Sequence, residues 1–197
     1  PEGGGQPGDV GNIKYDNKIF EIINTKYIDK KIVLCLESTA GFNLNQEMIC
    51  EINWTRRFSI MQVHTCLHLL CSIIKAPVTG GQISEGKGRL DFDLESKPDK
   101  EFVIENINKL IKGNFDVKVS SITEEELDKN PELVRTMAVQ PPRGSGSIRM
   151  ISIGQDVDYQ PCGGTHVKNT SEINLVTKVK VENKGRMNKR VVLELNN

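Results

Sequence analysis

Ile60-Met61-Gln62-Val63-His64-Thr65-Cys66-Leu67-His68-Leu69-Leu70-Cys71-Ser72-Ile73-Ile74 and, beyond Gly80-Gly81, Leu90-Asp91-Phe92-Asp93-Leu94-Glu95 are two stretches with different periods. In the first, Ile60, His64, Leu67, His68, Cys71 and Ile74 recur at steps of three and four, which predicts a helix from about Thr55 to Ile74 with one buried face. Ala76, Pro77 and Gly80-Gly81 end it. In the second, apolar and acidic residues alternate, which predicts a half-buried strand. Helix and strand signals mix along the chain without a regular βαβ alternation, so the expected class is α+β and not a doubly wound sheet.

Upstream, a polar, glycine-rich segment from Pro1 to about Asn12 reads as a loop where backbone must approach a neighbour closely. Lys18–Asn24, Lys31–Glu37 and Met48–Trp54 read as strands of a small β unit, the first two joined by a turn at Asp29 and Lys30. Downstream, Pro98 and Gly113 frame a second helix carrying Phe102, Ile107, Leu110 and Ile111. Val117–Ile122 reads as a strand, Thr123 with Glu126 as a capping box, and Gln140–Ser147 as a surface loop before a strand at Ile148–Ile153. Leu175–Val181 and Arg190–Leu195 flank a hairpin signal at Asn183-Lys184-Gly185. The expected organisation is a β module over residues 1–52 and a larger unit over residues 53–197.

The chain has 197 residues, 37% of them hydrophobic and 26% charged, with a formal net charge of zero. These values exclude a disordered or membrane-embedded chain and leave any nucleic acid to a local basic patch. The start at Pro1 reads as a fragment beginning inside a domain. An odd number of cysteines, five, without framework spacing points to a reducing, cytosolic setting.

His64-Thr65-Cys66-Leu67-His68 sits on the first helix, and Cys162-Gly163-Gly164-Thr165-His166 in a loop after a strand. A four-residue step returns to the same helical face, so His64 and His68 can reach one ion. All three histidines of the chain fall in these fragments, joined by Cys162, and Gly163-Gly164 lets the second loop turn tightly. The set His64, His68, Cys162 and His166 suits zinc, which accepts imidazole and thiolate, and not Mg²⁺ or Ca²⁺, which take oxygen. Cys66 and Cys71 read as small apolar helix residues.

Pro1-Glu-Gly-Gly-Gly-Gln-Pro-Gly-Asp9, Met61–Leu70, Gly80-Gly81-Gln82 with Lys87–Asp93, and Gln160–His166 together resemble the free-standing editing proteins related to the editing domain of alanyl-tRNA synthetase, in their medium-length class. The paired His and Cys-His motifs occur in threonyl-type editing domains too, but the glycine-rich segment beside a β module is similar to the alanyl branch. The resemblance covers nearly the whole chain. It implies a two-layer α+β editing domain preceded by a partial small β-barrel, one zinc per chain at the four named residues, and hydrolysis of mischarged tRNA for alanine, chiefly seryl and then glycyl. The partner it implies is the acceptor end of mischarged tRNA for alanine.

An editing site must favour serine over alanine through a buried hydrogen bond to the extra hydroxyl. Thr79 and Thr65 are the hydroxyl candidates, Gln82 and Gln6 the amide ones, and Gly4 lies in the segment implied to approach the site. His64 and His68, with Thr79 and Gln82, form the expected catalytic group. Zinc can activate water and polarise the carbonyl; a metal-free route would use His64 or His68 as base, and a third would use Cys162 as nucleophile. Arg56, Arg57, Lys87, Arg89 and Lys168 are the expected phosphate contacts, and Lys184, Arg186, Lys189 and Arg190 form a second basic cluster. Rival functions are a noncatalytic zinc-stabilised tRNA-binding module and an accessory domain of an alanyl- or threonyl-tRNA synthetase.

Overall fold

A computed structural model describes residues 1–29, 31–42, 47–137, 140–141 and 143–196. The turn expected at Asp29 and Lys30, and the loop expected from Gln140 to Ser147, fall partly outside the described residues, at Lys30 and Pro142.

The first sheet is antiparallel in the order β3-β2-β1-β4, from β1 (Gly11–Tyr15), β2 (Lys18–Ile28), β3 (Lys31–Leu36) and β4 (Ile49–Ile52). β1 lies where the sequence reads as the end of a loop. It forms because Ile13 and Tyr15 alternate inward beside a tight turn in which Asp16 and Asn17 both take positive φ, the geometry that matches strand twist in a two-residue hairpin. Among the described residues β3 and β4 are not paired to one another, so the expected partial barrel takes the form of an open sheet. Its core is small: Ile13, Phe20 and Ile22 are buried, ringed by Leu34, Leu36, Phe42 and Met48.

The second sheet has the order β10-β11-β6-β5, from β5 (Val78–Ser84), β6 (Lys87–Asp93), β10 (Val176–Gly185) and β11 (Asn188–Leu195). β5 forms where the sequence reads only as the end of the first helix, at Ala76, Pro77 and Gly80-Gly81. It pairs with β6 across a bulge between Val78 and Gly80. The hairpin turn falls at Arg186 and Met187 and not at Asn183-Lys184-Gly185, because an irregularity between Asn183 and Gly185 absorbs one residue into β10. A third sheet, β7-β8-β9, comprises β7 (Val117–Thr123), β8 (Ser147–Ile153) and β9 (Asp158–Pro161).

Helix α1 (Trp54–Ile73) starts at Asn53, whose side chain accepts the Arg56 N–H. Every residue from Thr65 to Cys71 is buried, which is more than the single face its period predicts. The reason is its place: α1 contacts β5 and β6 on one side and β9 and α2 (Lys100–Lys112) on others. Asp99, not Pro98, caps α2. The capping box at Thr123 and Glu126 opens α3 (Glu124–Lys129) as expected. The large core joins α1, α2 and the second sheet through Leu69, Leu70, Phe92, Val103, Ile107 and Val191. No helix among the described residues is long and apolar enough to cross a membrane.

Candidate metal centre

α1 projects His64 and His68 from adjacent turns, and the loop leaving β9 brings Cys162 and His166 to meet them. One ligand atom from each of the four lies within 4.8 Å of the others. Cys162 Sγ stands 3.5 Å from His64 Nε2 and 3.3 Å from His166 Nε2. A tetrahedral zinc with Zn–S of about 2.3 Å and Zn–N of about 2.0 Å has S–N edges of roughly 3.5 Å, so the spacing fits that ion.

The other side of each ring is held. His64 Nδ1 meets Gln6 Oε1 at 3.0 Å, His68 Nδ1 meets Asp158 Oδ2 at 2.8 Å, and His166 Nδ1 meets Thr65 Oγ1 at 3.2 Å. With each Nδ1 donating outward, Nε2 is left as the inward lone pair, the arrangement that orients metal-binding imidazoles. Thr65 also donates its hydroxyl to the Met61 carbonyl and accepts the Val167 N–H, so its hydrogen-bonding capacity is filled. Gln6 Oε1 accepts the Thr165 N–H as well, at 3.0 Å, which ties the glycine-rich segment to the Cys162 loop. Arg149 donates to the carbonyls of Cys162 and Gly164 and fixes that loop from below. Gly164 is there because a Cβ would stand 2.1 Å from His64 Cε1.

The electrostatics agree with a thiolate site. Burial opposes ionisation of Cys162, but hydrogen bonds from His166, His64 and His68 hold its thiol at about 2. Burial likewise opposes the charged form of His68, yet its bonds to Asp158 and Cys162 carry it up to about 9. His166 is pushed down to about 3 by burial and by the charges of His64 and His68. The same bonds to Asp158 and Cys162 favour the charged form of His68, which works against that residue as a metal-free base. Burial raises Cys66 and Cys71 to about 12, so both are neutral thiols, as expected of apolar helix residues.

The centre opens into a cavity of about 760 Å³. Its walls are the segment Pro1–Pro7, the Val78–Ile83 stretch of β5, residues 134–136 and the Cys162 loop. Gly5 lets the first wall close on the second: the Gly5 carbonyl accepts the Ile83 N–H at 2.9 Å, and a Cβ on Gly5 would stand 2.7 Å from the Gly81 carbonyl oxygen.

Of the residues singled out in the sequence, Gly4, Gln6, Arg57, His64, His68, Gln82 and Cys162 line this cavity. Thr79 does not; its hydroxyl donates to the Asp91 carbonyl at 3.2 Å, because strand alternation turns it away. Thr65 does not either, lying fully buried behind His166. Arg56 donates to the Gly8 carbonyl and Arg57 forks onto Asp9. Arg89 meets Gln82 and Asp91, Lys87 pairs with Glu194, and Lys168 is exposed and off the cavity wall. In the second basic cluster Lys184 pairs with Glu182, Arg190 pairs with Asp91, and Lys189 is buried against the carbonyls of Gly185 and Arg186.

Asp158, Arg149 and Arg135 were not found by sequence reasoning. Asp158 had a signal: it lies four residues before Cys162, so period two puts Asp158 and Gln160 on the face of β9 that leads to the cysteine. Arg149 and Arg135 had none, being single cations whose role depends on which loops meet.

The family model for the threonyl and alanyl tRNA synthetase second additional domain matches residues 148–192. A relative from Saccharolobus solfataricus, named an alanyl-tRNA editing protein AlaX-M, is 32% identical over 97% of this chain and 83% of its own length. One of the same name from Methanosarcina acetivorans is 31% identical over 99% of this chain and 84% of its own. An alanine–tRNA ligase from Pyrobaculum arsenaticum is 34% identical over 92% of this chain but 21% of the ligase.

Proposed function

The chain belongs to the family of AlaX-M alanyl-tRNA editing proteins, and from that premise and the geometry above we propose that it hydrolyses the ester of tRNA for alanine charged with serine, and less readily with glycine. The observation that carries this reading is the convergence of His64, His68, Cys162 and His166, the first three of them in the wall of a cavity large enough for an aminoacyl-adenosine end.

Water adds to the acyl carbon, the carbonyl π pair moves to its oxygen, and collapse expels the ribose oxygen, which takes a proton. The products are a free amino acid and tRNA with its terminal hydroxyl restored. Zinc at the four residues would supply a Lewis acid for the acyl group. The chain's own contribution is positional. Leu67, Ile83 and Leu90 give the cavity apolar walls that limit water, and the Pro1–Pro7 strap covers the centre through Gln6. Gln82 lines the same space, and its amide nitrogen is a group able to meet a seryl hydroxyl; Thr165 donates to Gln6, and Thr79 and Thr65 are committed elsewhere. Phosphates of the acceptor end would meet Lys168, which is exposed, and Lys87, whose pair with Glu194 lies at the surface, in preference to Arg56, Arg57 and Arg89, which are tied to part-buried protein partners. A cytoplasmic, reducing setting agrees with five free cysteines.

Four protein ligands also describe a closed structural zinc site, which is the rival reading of a noncatalytic tRNA-binding module. The test is release of labelled serine from seryl-tRNA for alanine, by native protein, by native protein after chelation, and by Cys162→Ala. Turnover only in the first sample is expected. Equal release in all three would leave the metal without a role, and no release in any would favour the binding module.

A further inference from the structure

The register of β5 on β6 pairs Gly81 with Leu90 and Ile83 with Gly88, so these four residues share one face of the hairpin. That face looks onto α1: a Cβ on Gly88 would stand 2.6 Å from Val63 Cγ1 and 3.1 Å from Leu67 Cδ1, the residues just before His64 and His68. Gly81, Ile83 and Leu90 thus form one wall of the cavity, with His64, Leu67 and His68 in the wall opposite. The strap ties the two walls together. The Gly5 carbonyl accepts the Ile83 N–H at 2.9 Å, and the next residue, Gln6, meets His64 Nδ1 at 3.0 Å.

Glycine at position 81 is not required by the fold. Gly5 has a positive φ, and Gly88 and Gly164 are pressed against α1, but Gly81 is outside the left-handed region and exposed. Among the described residues an added Cβ would meet only Leu90 Cδ2 at 3.1 Å, the end of a flexible side chain, and the Arg89 carbonyl oxygen at 3.7 Å. A glycine inside a strand costs conformational entropy and leaves packing unfilled, and it often marks the close approach of a ligand. Here the missing side chain leaves a notch in the cavity wall that faces the helix of the metal ligands.

Resting on the hydrolase reading above, we propose that Gly81 is a specificity-determining residue: the notch it leaves against Leu90 receives the hydroxymethyl group of a seryl ester. A glycyl ester has no side chain and leaves the notch empty. A methyl group at position 81 would take the space that the hydroxymethyl group needs and leave a glycyl ester undisturbed.

The test compares native protein with Gly81→Ala on seryl- and glycyl-tRNA for alanine, measuring kcat/KM for each ester, with zinc content and melting temperature as controls. One methylene too many in a pocket changes discrimination by about 10-fold or more. The seryl value is therefore expected to fall by at least about tenfold while the glycyl value stays within about threefold. A serine-to-glycine ratio within threefold of native overturns the proposal, whether both values hold or both fall. Should Gly81→Ala fail to fold or lose zinc, or should native protein leave the glycyl ester intact, NMR of native protein decides. With 3′-(L-seryl)amino-3′-deoxyadenosine, a non-hydrolysable amide, bound at saturation, nuclear Overhauser contacts are expected between the seryl β protons and the Leu90 methyl groups, and their absence overturns the proposal. Native protein with no deacylase activity on either ester would instead sink the hydrolase reading itself, so the two failures are distinguishable.

Discussion

At the scale of single residues, the centre depends as much on the groups behind the ligands as on the ligands. Asp158 is fully enclosed, and its Oδ2 is the only carboxylate oxygen against the His68 ring among the described residues. Asp158→Asn keeps the shape and removes the charge that favours a strongly donating imidazole. Zinc affinity, read by competition with a chromophoric chelator, is expected to fall about 10- to 100-fold; an unchanged affinity would make Asp158 a packing residue. Gly163 and Gly164 offer a sharper contrast, being neighbours with the same composition and opposite surroundings. A Cβ on Gly164 meets His64 and Gln6, while a Cβ on Gly163 meets nothing within 4 Å. Gly164→Ala should therefore lose most of its bound metal and Gly163→Ala should keep about one equivalent, as measured by elemental analysis. Equal metal content in the two variants would contradict the close approach.

At the scale of elements, the pairing of β6 with β11 is fastened by Asp91, which faces Arg190 across the strands and also meets Arg89. Arg190 first, then Arg89, hold the Asp91 carboxyl below the usual carboxylate range. A carboxylate whose folded pKa is depressed stabilises the protein fully above its unfolded value of about 3.9, and that contribution disappears as pH falls through the folded value. Asp91→Asn is expected to lower stability by about 1–3 kcal/mol at pH 7, with the difference shrinking below about pH 4. Urea denaturation at pH 7 and pH 3 would check it, and a difference that grows in acid would reverse the sign. The same two strands show where the sequence was legible. β6 announces itself by alternating Leu90, Phe92 and Leu94 with acids, and α1 by its three-and-four spacing. β5 did not, because Thr79-Gly80-Gly81 carries turn residues whose strand conformation is imposed by pairing with β6 and by the close approach of Gly5. The candidate ligands were legible because few residue types bind a soft metal ion; Thr79 was misjudged as a pocket hydroxyl because strand alternation, hidden beside Gly80-Gly81, points it at Asp91.

At the scale of the whole molecule, the two hydrophobic cores are unequal, and we propose that residues 1–52 and 53–197 are separate folding units joined at the active centre. Among the described residues the N-terminal core has three buried hydrophobic side chains, Ile13, Phe20 and Ile22, and the larger one is continuous from α1 to β11. So small a core supplies little stability by itself, and the N-terminal unit is held in place by Gln6 on His64 and Thr165, by Asp9 on Arg57 and by the Gly5 carbonyl on Ile83. Function and docking are thereby coupled, since undocking the strap removes the partner of His64 while leaving the four ligands on the larger unit. Phe20→Ala, which deletes a buried ring at a cost of about 3–5 kcal/mol, should unfold the N-terminal unit and leave the rest intact. Hydrogen exchange is the suitable measurement: amides of β1 and β2 are expected to lose protection while those of α1 and β6 keep it, with zinc still bound but more weakly and deacylation strongly reduced. Simultaneous loss of protection in α1 would show one cooperative unit, because the small core would then be supporting the large one and not the reverse.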